Sequence, residues 1–245
     1  MQGGRADGAA ERVQSLVGPL RIVREEIVGC EKCPRLRGYC REIARVKRRA
    51  YRDDTYWARP VPGFGDPRAR LLILGLAPAA HGANRTGRVF TGDGVGGSGD
   101  FLMSALHRVG FATLPTSRHV DDGLELRDAF IAAAVRCAPP GNKPTLEEIA
   151  NCLPHLAAEF DALPRVRVVV ALGKIAFDAY LSLLKSQGLA VKPRPAFAHG
   201  AFATMPDGRT LMAAYHPSRQ NTNTGKLTAS MLVDVFRTAR RRLGR

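Results

Sequence analysis

The chain contains four short apolar runs, and each has the length of a buried β-strand. Such runs, in which polar residues do not alternate with apolar ones, are typical of strands covered on both faces of a parallel sheet. The pattern therefore predicts an α/β fold class, a three-layer α/β/α sandwich around a central, mainly parallel four-stranded sheet. The predicted strands lie at about residues 70–76, 128–135, 166–172 and 210–215.

Predicted helices lie between and around these strands, at about residues 11–28, 100–109, 174–184 and 226–243. Pro19 is expected to interrupt the first of them. A further helix begins after Thr145, which forms the pattern of a capping box with Glu148. Pro154 lies inside this helix and is expected to kink or split it, because proline lacks the N–H that helical hydrogen bonding requires.

The length of 245 residues, with 45% hydrophobic content, is enough for one substantial core. We therefore expect a single domain over residues 11–245, preceded by a disordered tail over residues 1–10. No apolar run approaches the roughly 20 residues that cross a bilayer, and the N-terminus lacks the apolar segment of a signal peptide. The expected location is the cytoplasm, without a membrane partner.

Basic residues outnumber acidic ones, with 37 Lys and Arg against 22 Asp and Glu and a net charge of +15. Clustered Lys and Arg release counterions from a phosphate backbone, so this balance favours a polyanionic partner such as nucleic acid. The alternative is a basic surface that is only solvated. Either interpretation fits the C-terminal run of Arg237, Arg240, Arg241 and Arg242.

Three polar loops rich in Gly and Pro follow predicted strands, at residues 75–101, 136–145 and 215–225. Because the carboxyl ends of parallel strands meet at one edge of a sheet, these loops are expected to form a concave site. Gly94, Gly96 and Gly99 formally match Gly-x-Gly-x-x-Gly, but they lie far beyond the end of their strand. A dinucleotide site is therefore not predicted, and these glycines are expected to let backbone approach a ligand.

Five cysteines in a cytoplasmic protein point to metal binding rather than to disulfides. Cys30 and Cys33 form a Cys-x-x-Cys pair, and Cys137 and Cys152 supply two further thiols near a predicted helix. Four thiolates suit an iron-sulfur cluster or a structural zinc, and spacing alone does not separate the two. Cys40 is expected to be a spare, buried apolar residue.

Four segments of the chain resemble, in order, the motifs of the uracil-DNA glycosylases, most closely the iron-sulfur B-type branch called family five. They are residues 75–78 (GLAP), 81–93 (HGANRTGRVFTGD), 137–145 (CAPPGNKPT) and 216–221 (HPSRQN). The resemblance extends over about residues 28–240. It implies a monomeric enzyme that flips uracil out of DNA and hydrolyses its glycosidic bond. It also implies a [4Fe-4S] cluster on the four cysteines, with zinc as the alternative.

The resemblance also implies three catalytic residues. His216 would donate a hydrogen bond to O2 of the leaving base, and Asp93 would orient water or stabilise a positively charged sugar. Asn142 would lie near the reactive sugar or base. The alternatives are a histidine satisfied within the core, a turn aspartate that caps the Gly-rich loop, and an ordinary loop asparagine.

Binding residues follow from the same motifs. Phe90 would stack on the extruded base, although an aromatic beside Val89 could also belong to the core. Other pocket positions are Gly75, Ala77 and Ala133. The expected DNA contacts are Arg85, Lys143, Ser218, Arg219 and Asn221.

Two positions depart from the pattern of strictly uracil-specific relatives. Leu76 stands where they carry a water-activating residue, and Ala133 stands where an amide reads the pairing edge of uracil. We therefore expect a broader range of bases, such as hypoxanthine. The rival hypothesis is a non-catalytic iron-sulfur module that binds nucleic acid. A nucleotide enzyme that cradles phosphates is disfavoured, because the chain has no P-loop lysine motif.

Overall fold

A computed structural model describes residues 18–244, and a single six-stranded sheet lies at its centre. The spatial order of the strands is β1-β3-β2-β4-β6-β5. The four inner strands are parallel to one another, whereas β1 and β5 pair antiparallel at the two edges. The strands are β1 Phe64–Gly65, β2 Leu71–Gly75, β3 Ala129–Ala133, β4 Val168–Leu172, β5 Phe202–Thr204 and β6 Thr210–Ala214.

The four predicted strands are therefore confirmed as the inner, mainly parallel part of the sheet, but the predicted number of strands was too low by two. The two edge strands have only two and three residues, and none of these residues is fully buried. The turn pattern at residues 205–208 predicts a short strand on each side, and β5 and β6 confirm it. Strand β1 was not predicted, because two half-buried residues leave no continuous apolar run in the sequence.

Helices cover both faces of the sheet. Because side chains of a strand alternate between faces, Leu71 and Ile73 of β2 contribute to one apolar layer and Leu72 and Leu74 to the other. The helices are α1 Pro19–Val28, α2 Pro34–Val46, α3 Ala83–Thr86, α4 Ser98–Arg108, α5 Leu146–Asp161, α6 Lys174–Ser186, α7 Arg219–Asn223 and α8 Ala229–Leu243. Helices α4 and α8 pack on the first layer, and α5 and α6 on the second.

Within the described residues, the predicted helices agree with the structure, with one exception. Helix α5 runs through Pro154 without a break, so the predicted split is wrong. Pro154 and Ala150 are both exposed, so the carbonyl that loses its helical partner lies on the solvent side. The capping box of Thr145 and Glu148 is present as predicted. Helix α2, which carries Cys40, was not predicted, and neither were the short helices α3 and α7, which lie within the predicted loops.

The N-terminal predictions fall mostly beyond the described part of the chain. Helix α1 begins at Pro19, which occupies its first turn, where a missing N–H costs nothing. The predicted tail and residues 11–17 of the first predicted helix lie outside the described residues. Within residues 18–244, no helix is both long enough and apolar enough to cross a membrane.

One buried ion pair ties the segment after β3 to helix α5. Arg136 and Glu159 have side chains that are 1% and 4% exposed, and their charged groups lie 2.7 Å apart. The other carboxylate oxygen of Glu159 accepts a 2.7 Å hydrogen bond from the backbone N–H of Gly63. The backbone carbonyl of Arg136 accepts a hydrogen bond from Val61 N–H. This pair therefore joins α5, the residues before Cys137 and the loop before β1.

We predict that Glu159→Ala lowers the free energy of unfolding by about 3–5 kcal/mol, because it leaves a buried guanidinium without a counter-ion. Denaturant unfolding followed by circular dichroism measures this change. The matched control is Glu42→Ala, which removes the ion pair to Arg45 on the exposed face of α2 and should cost at most about 1 kcal/mol. Equal losses in the two variants would contradict the prediction.

Candidate functional site

The loops after β2, β3 and β6 leave the same edge of the sheet. The parallel register sets Gly75 at the end of β2 beside Ala133 at the end of β3. Strand β6 ends at Ala214, two residues before His216. The predicted rim of three polar loops is therefore formed by the parallel pairing of the inner strands.

Phe90 and His216 meet at this rim. Their rings are stacked, with centroids 5.8 Å apart and an interplanar angle of 29°. A Cβ on Gly75 would come within 2.8 Å of the Phe90 ring, so glycine is needed where the ring approaches β2. Phe90 has a φ of 51°, a left-handed conformation that an aromatic residue rarely adopts. Such strain is typical of functional positions.

The Asp93 carboxylate is enclosed by a tight turn of the Gly-rich loop. A Cβ on Gly82 would overlap its Oδ1, and a Cβ on Gly97 would lie 2.7 Å from its Cβ. Burial raises the pKa of Asp93 to about 6, against the opposing effects of a hydrogen bond from the Gly99 N–H and the charge of Arg219. The carboxyl group therefore changes its charge near physiological pH.

His216 presents a neutral imidazole to the site. Burial lowers the pKa of His216 to about 4, so the ring is uncharged at neutral pH and carries one N–H donor. No polar group among residues 18–244 forms a hydrogen bond to the ring nitrogens. The backbone carbonyl of His216, in contrast, accepts hydrogen bonds from Asn221 Nδ2 at 2.8 Å and from Ser218 N–H. These hydrogen bonds fix the turn through the backbone and do not use the ring nitrogens. The ring can therefore bond to a ligand.

Ser218 and Asn221 shape this turn. Ser218 is the N-cap of α7, and its hydroxyl accepts a hydrogen bond from the Asn221 N–H. Arg219 is exposed and points its guanidinium towards the backbone carbonyl of Asp93, at 3.5 Å. The loop after β6 thus touches the loop after β2 at the catalytic candidate Asp93.

Arg85 lies inside the protein, not on the rim. It is 8% exposed, and its guanidinium forms a 2.5 Å ion pair with Asp54 and donates to the carbonyls of Gly92 and His81. The ring of Tyr51 lies 3.9 Å from it. Arg85 therefore braces the Gly-rich loop, and a contact with phosphate would require the Asp54 ion pair to open.

The remaining predicted residues lie at the ends of β2 and β3 or in the loops that follow them. Asn142 and Lys143 are exposed on the loop between β3 and α5, and Asn142 has a left-handed φ of 58°. Ala133 is buried at 3% exposure, whereas Ala77 packs against the cysteine cluster described below. Leu76 is partly buried at the end of β2.

Two tyrosines near the site were not predicted. Besides contacting Arg85, Tyr51 has its hydroxyl 3.7 Å from the Cβ position of Gly94. Tyr56 is hydrogen-bonded through its hydroxyl to His81 Nδ1 at 3.0 Å. Both belong to residues 51–65, whose content of proline, glycine and aromatic residues predicts an ordered loop, although no site residue was predicted in it.

The cysteines gather beneath the loop between β3 and α5. Cys33, Cys40, Cys137 and Cys152 share one buried apolar cluster, and Cys30 is partly exposed. All five are free thiols. Arg37 places Nη1 4.0 Å from the Cys137 sulfur, and Asn151 Nδ2 lies 3.6 Å from that of Cys33.

The donor chemistry of this cluster suits a thiolate-bound metal centre, since free thiols from three separate segments converge in a buried place. Among the residues that the structure describes, no three His, Cys, Asp or Glu side chains already surround a common point for a metal ion. Cys40 shares the cluster and its thiol interacts with that of Cys137. Position alone therefore does not separate Cys40 from the four predicted ligands.

Comparison with known proteins places these features in a family. A family model described as the uracil DNA glycosylase superfamily matches residues 62–240. The chain is 49% identical over 228 residues to a type-5 uracil-DNA glycosylase of Mycobacterium leprae, covering 93% of this chain and 97% of that protein. It is 50% identical over 220 residues to one of Thermus thermophilus, covering 90% and 96%. One of Pyrobaculum aerophilum is 45% identical over 213 residues, covering 87% and 88%.

Proposed function

The chain belongs to the uracil DNA glycosylase superfamily, and from this premise we propose that it excises uracil from DNA as a monofunctional hydrolase of the N-glycosidic bond. The product is an abasic site for base excision repair. The observation that carries the proposal is the pair of Phe90 and His216 stacked at the strand ends, beside the loop that encloses Asp93. This pair supplies an aromatic surface and a free N–H donor at one place.

His216 stabilises the departing base. Cleavage of the glycosidic bond leaves electrons on the base, and a donor aimed at O2 lowers the energy of that anion. A neutral imidazole suits this role, because it donates a hydrogen bond without a full proton transfer. The lowered pKa of His216 and the absence of a competing partner within residues 18–244 support this assignment.

Asp93 acts on the sugar side. An ionised carboxylate can orient the attacking water and stabilise positive charge on the deoxyribose. Leu76 has no polar group, so water activation must come from another residue, and Asp93 is the carboxylate that the Gly-rich loop holds at the rim. Asn142, on the neighbouring loop, contributes an amide near the same sugar or base.

The same rim binds DNA. Arg219 and Lys143 are exposed cations beside the site and contact phosphates, while Ser218 and Asn221 hold the turn that enters the duplex. Uracil stacks on Phe90 at the adjacent ends of β2 and β3, where Gly75 and Ala133 lie. Ala133 offers no amide to read the pairing edge, so we propose that hypoxanthine and other deaminated bases are also excised.

We further propose that Cys30, Cys33, Cys137 and Cys152 hold a [4Fe-4S] cluster. These four residues would hold the cluster and so link three chain segments, and its role would be structural, because hydrolysis needs no redox step. Cys137 follows the buried ion pair of Arg136, so the cysteines also fix the loop that carries Asn142. The single-domain organisation of residues 11–245, the monomeric state and the cytoplasmic location stay predictions.

We predict that His216→Ala slows single-turnover release of uracil by about 100- to 1000-fold, the usual effect of losing one donor to a developing anion. DNA affinity should stay within about twofold. The assay incubates a uracil-containing duplex with the protein and cleaves abasic strands with alkali. Intact strands with the unmodified protein, despite tight DNA binding, would instead support a non-catalytic module that binds nucleic acid.

The release rate should also rise with pH and level off above a midpoint near 6, as Asp93 loses its proton. The rate rises with pH, because only the ionised carboxylate of Asp93 can orient water. The pKa of His216 is about 4, so its imidazole stays neutral across this step. Asp93→Asn should lower the plateau by about 100-fold or more and remove the step. A step near pH 6 that persists in this variant would assign the titration to another group.

Cysteine variants test the metal centre. The unmodified protein should contain about four irons and absorb near 400 nm, a rough expectation for iron-sulfur charge transfer. Cys137→Ser should lose iron and stability, whereas the matched control Cys40→Ser should keep both, although its thiol lies in the same cluster. Metal analysis that finds zinc, or iron loss only in the Cys40 variant, would contradict the assignment.

A further inference from the structure

A groove with a volume of about 750 Å³ lies between helices α1 and α2 and residues 57–59. Pockets that hold small ligands usually measure about 300–1,000 Å³. Gly82 precedes α3 and encloses Asp93, whereas Gly87 follows α3 and lies against the ring of Trp57. Asp93 and the aromatic wall of the groove therefore lie at opposite ends of α3, so the groove is separate from the proposed site of excision.

Trp57 supplies the aromatic surface of the groove, and it is the only tryptophan in the sequence. A Cβ on Gly87 would come within 2.9 Å of its ring, so the indole packs closely on the backbone there. Its Nε1 donates to the carbonyl of Pro60 at 3.2 Å. The indole is thus held in place with its one donor in use, and it offers a ligand an apolar surface. Unpaired nucleobases stack on such surfaces.

The carboxylates of the groove already have cations. Glu31 accepts hydrogen bonds from Arg37 Nε at 3.3 Å and from Arg41 Nη2 at 2.6 Å, and both arginines line the groove with it. Glu25 pairs with Arg21 at 2.8 Å on the exposed side of α1. The acidic groups are therefore neutralised within the protein, and the remaining charges decide which ligand the groove favours.

Those remaining charges are the guanidinium groups of Arg24 and Arg59. Neither forms an ion pair or a hydrogen bond with any residue between 18 and 244, and both residues are half-buried. Burial lowers the pKa of Arg24, although the charge of Glu159 opposes that shift. The guanidinium of Arg59 lies 5.9 Å from the ring centre of Trp57. A poorly solvated cation without a counter-ion is unfavourable, so a bound anion would stabilise both groups.

We propose that this groove is a second nucleotide-binding site, in which an unpaired base stacks on Trp57 and its phosphate binds Arg24 and Arg59. A nucleotide matches both features, because it joins a flat aromatic base to a phosphate, and guanidinium groups bind phosphate through paired hydrogen bonds. The nucleotide is either free or an unpaired unit of a DNA strand, and the two sources share this chemistry. The inference concerns a surface outside the rim and does not rest on the proposed excision of uracil.

The fluorescence of Trp57 reports on this site directly, because no other tryptophan contributes to it. Thymidine monophosphate should quench the emission saturably as its base stacks on the indole. Isothermal titration calorimetry should give the same dissociation constant. Thymidine, which lacks the phosphate, should bind at least about tenfold more weakly, since the hydrogen bonds to a charged group are lost.

Arg24→Gln and Arg59→Gln should each weaken the binding of thymidine monophosphate by about tenfold, for the same reason. The matched control is Arg45→Gln. Arg45 is exposed on α2 and pairs with Glu42, outside the groove, so its substitution should leave the dissociation constant unchanged. Circular dichroism checks that each variant is folded, and either arginine of the groove suffices for the test.

Variants of Trp57 test the stacking itself, with calorimetry as the measurement. Trp57→Ala should weaken the binding of thymidine monophosphate by roughly 5- to 150-fold, the usual effect of losing one stacked aromatic ring. Trp57→Phe keeps a ring and should restore most of the affinity. Binding that is detected by calorimetry without any change in the emission of Trp57 would place the nucleotide elsewhere and overturn the proposal.

A short oligothymidylate without uracil distinguishes the two sources of the nucleotide. Saturation by the monophosphate supports a site for a free nucleotide. Quenching by the oligothymidylate alone, weakened by Arg24→Gln and Arg59→Gln, supports a site for an unpaired unit of a DNA strand. Absence of quenching by either ligand, or equal affinities in the unmodified protein and both arginine variants, would overturn the site. Release of uracil is measured separately, so its failure would reject only the proposed function.

Discussion

The parallel pairing of β2, β3, β4 and β6 is the constraint on which the rest of the site depends. Parallel strands bring all their carboxyl ends to one edge, so loops that are far apart in sequence meet there. The contact of Phe90 with His216 and the approach of Arg219 to Asp93 both join the loop after β2 to the loop after β6. Neither contact could form if β2 or β6 ran in the opposite direction.

Burial shifts the pKa values of the two proposed catalytic groups in opposite directions, and the physical cause is the same. A poorly solvated environment disfavours charge, so it raises the pKa of Asp93 and lowers that of His216. The histidine becomes a neutral donor, whereas the carboxylic acid titrates within the physiological range. The same enclosure thus sets the protonation of both groups for hydrolysis.

Basic residues are not all on the DNA-facing surface, despite the net charge of +15. Arg85 braces the Gly-rich loop from within, and Arg136 pairs with Glu159 in the core. In the C-terminal run, Arg240 lies over the ring of Phe111 and Arg242 over that of Phe202. Charge therefore indicates the class of partner, and we propose that exposed cations at the rim, such as Arg219, mark where it binds.

The sequence by itself determined the α/β class, the four inner strands and the loops that carry the motifs, because continuous apolar runs and capping patterns are local signals. Only the tertiary structure revealed the short edge strand β1, the burial of Arg85 and the stacking of Phe90 on His216. The reason is physical. Burial, protonation and ring contacts arise between residues distant in the chain, and no local pattern encodes which of them will meet.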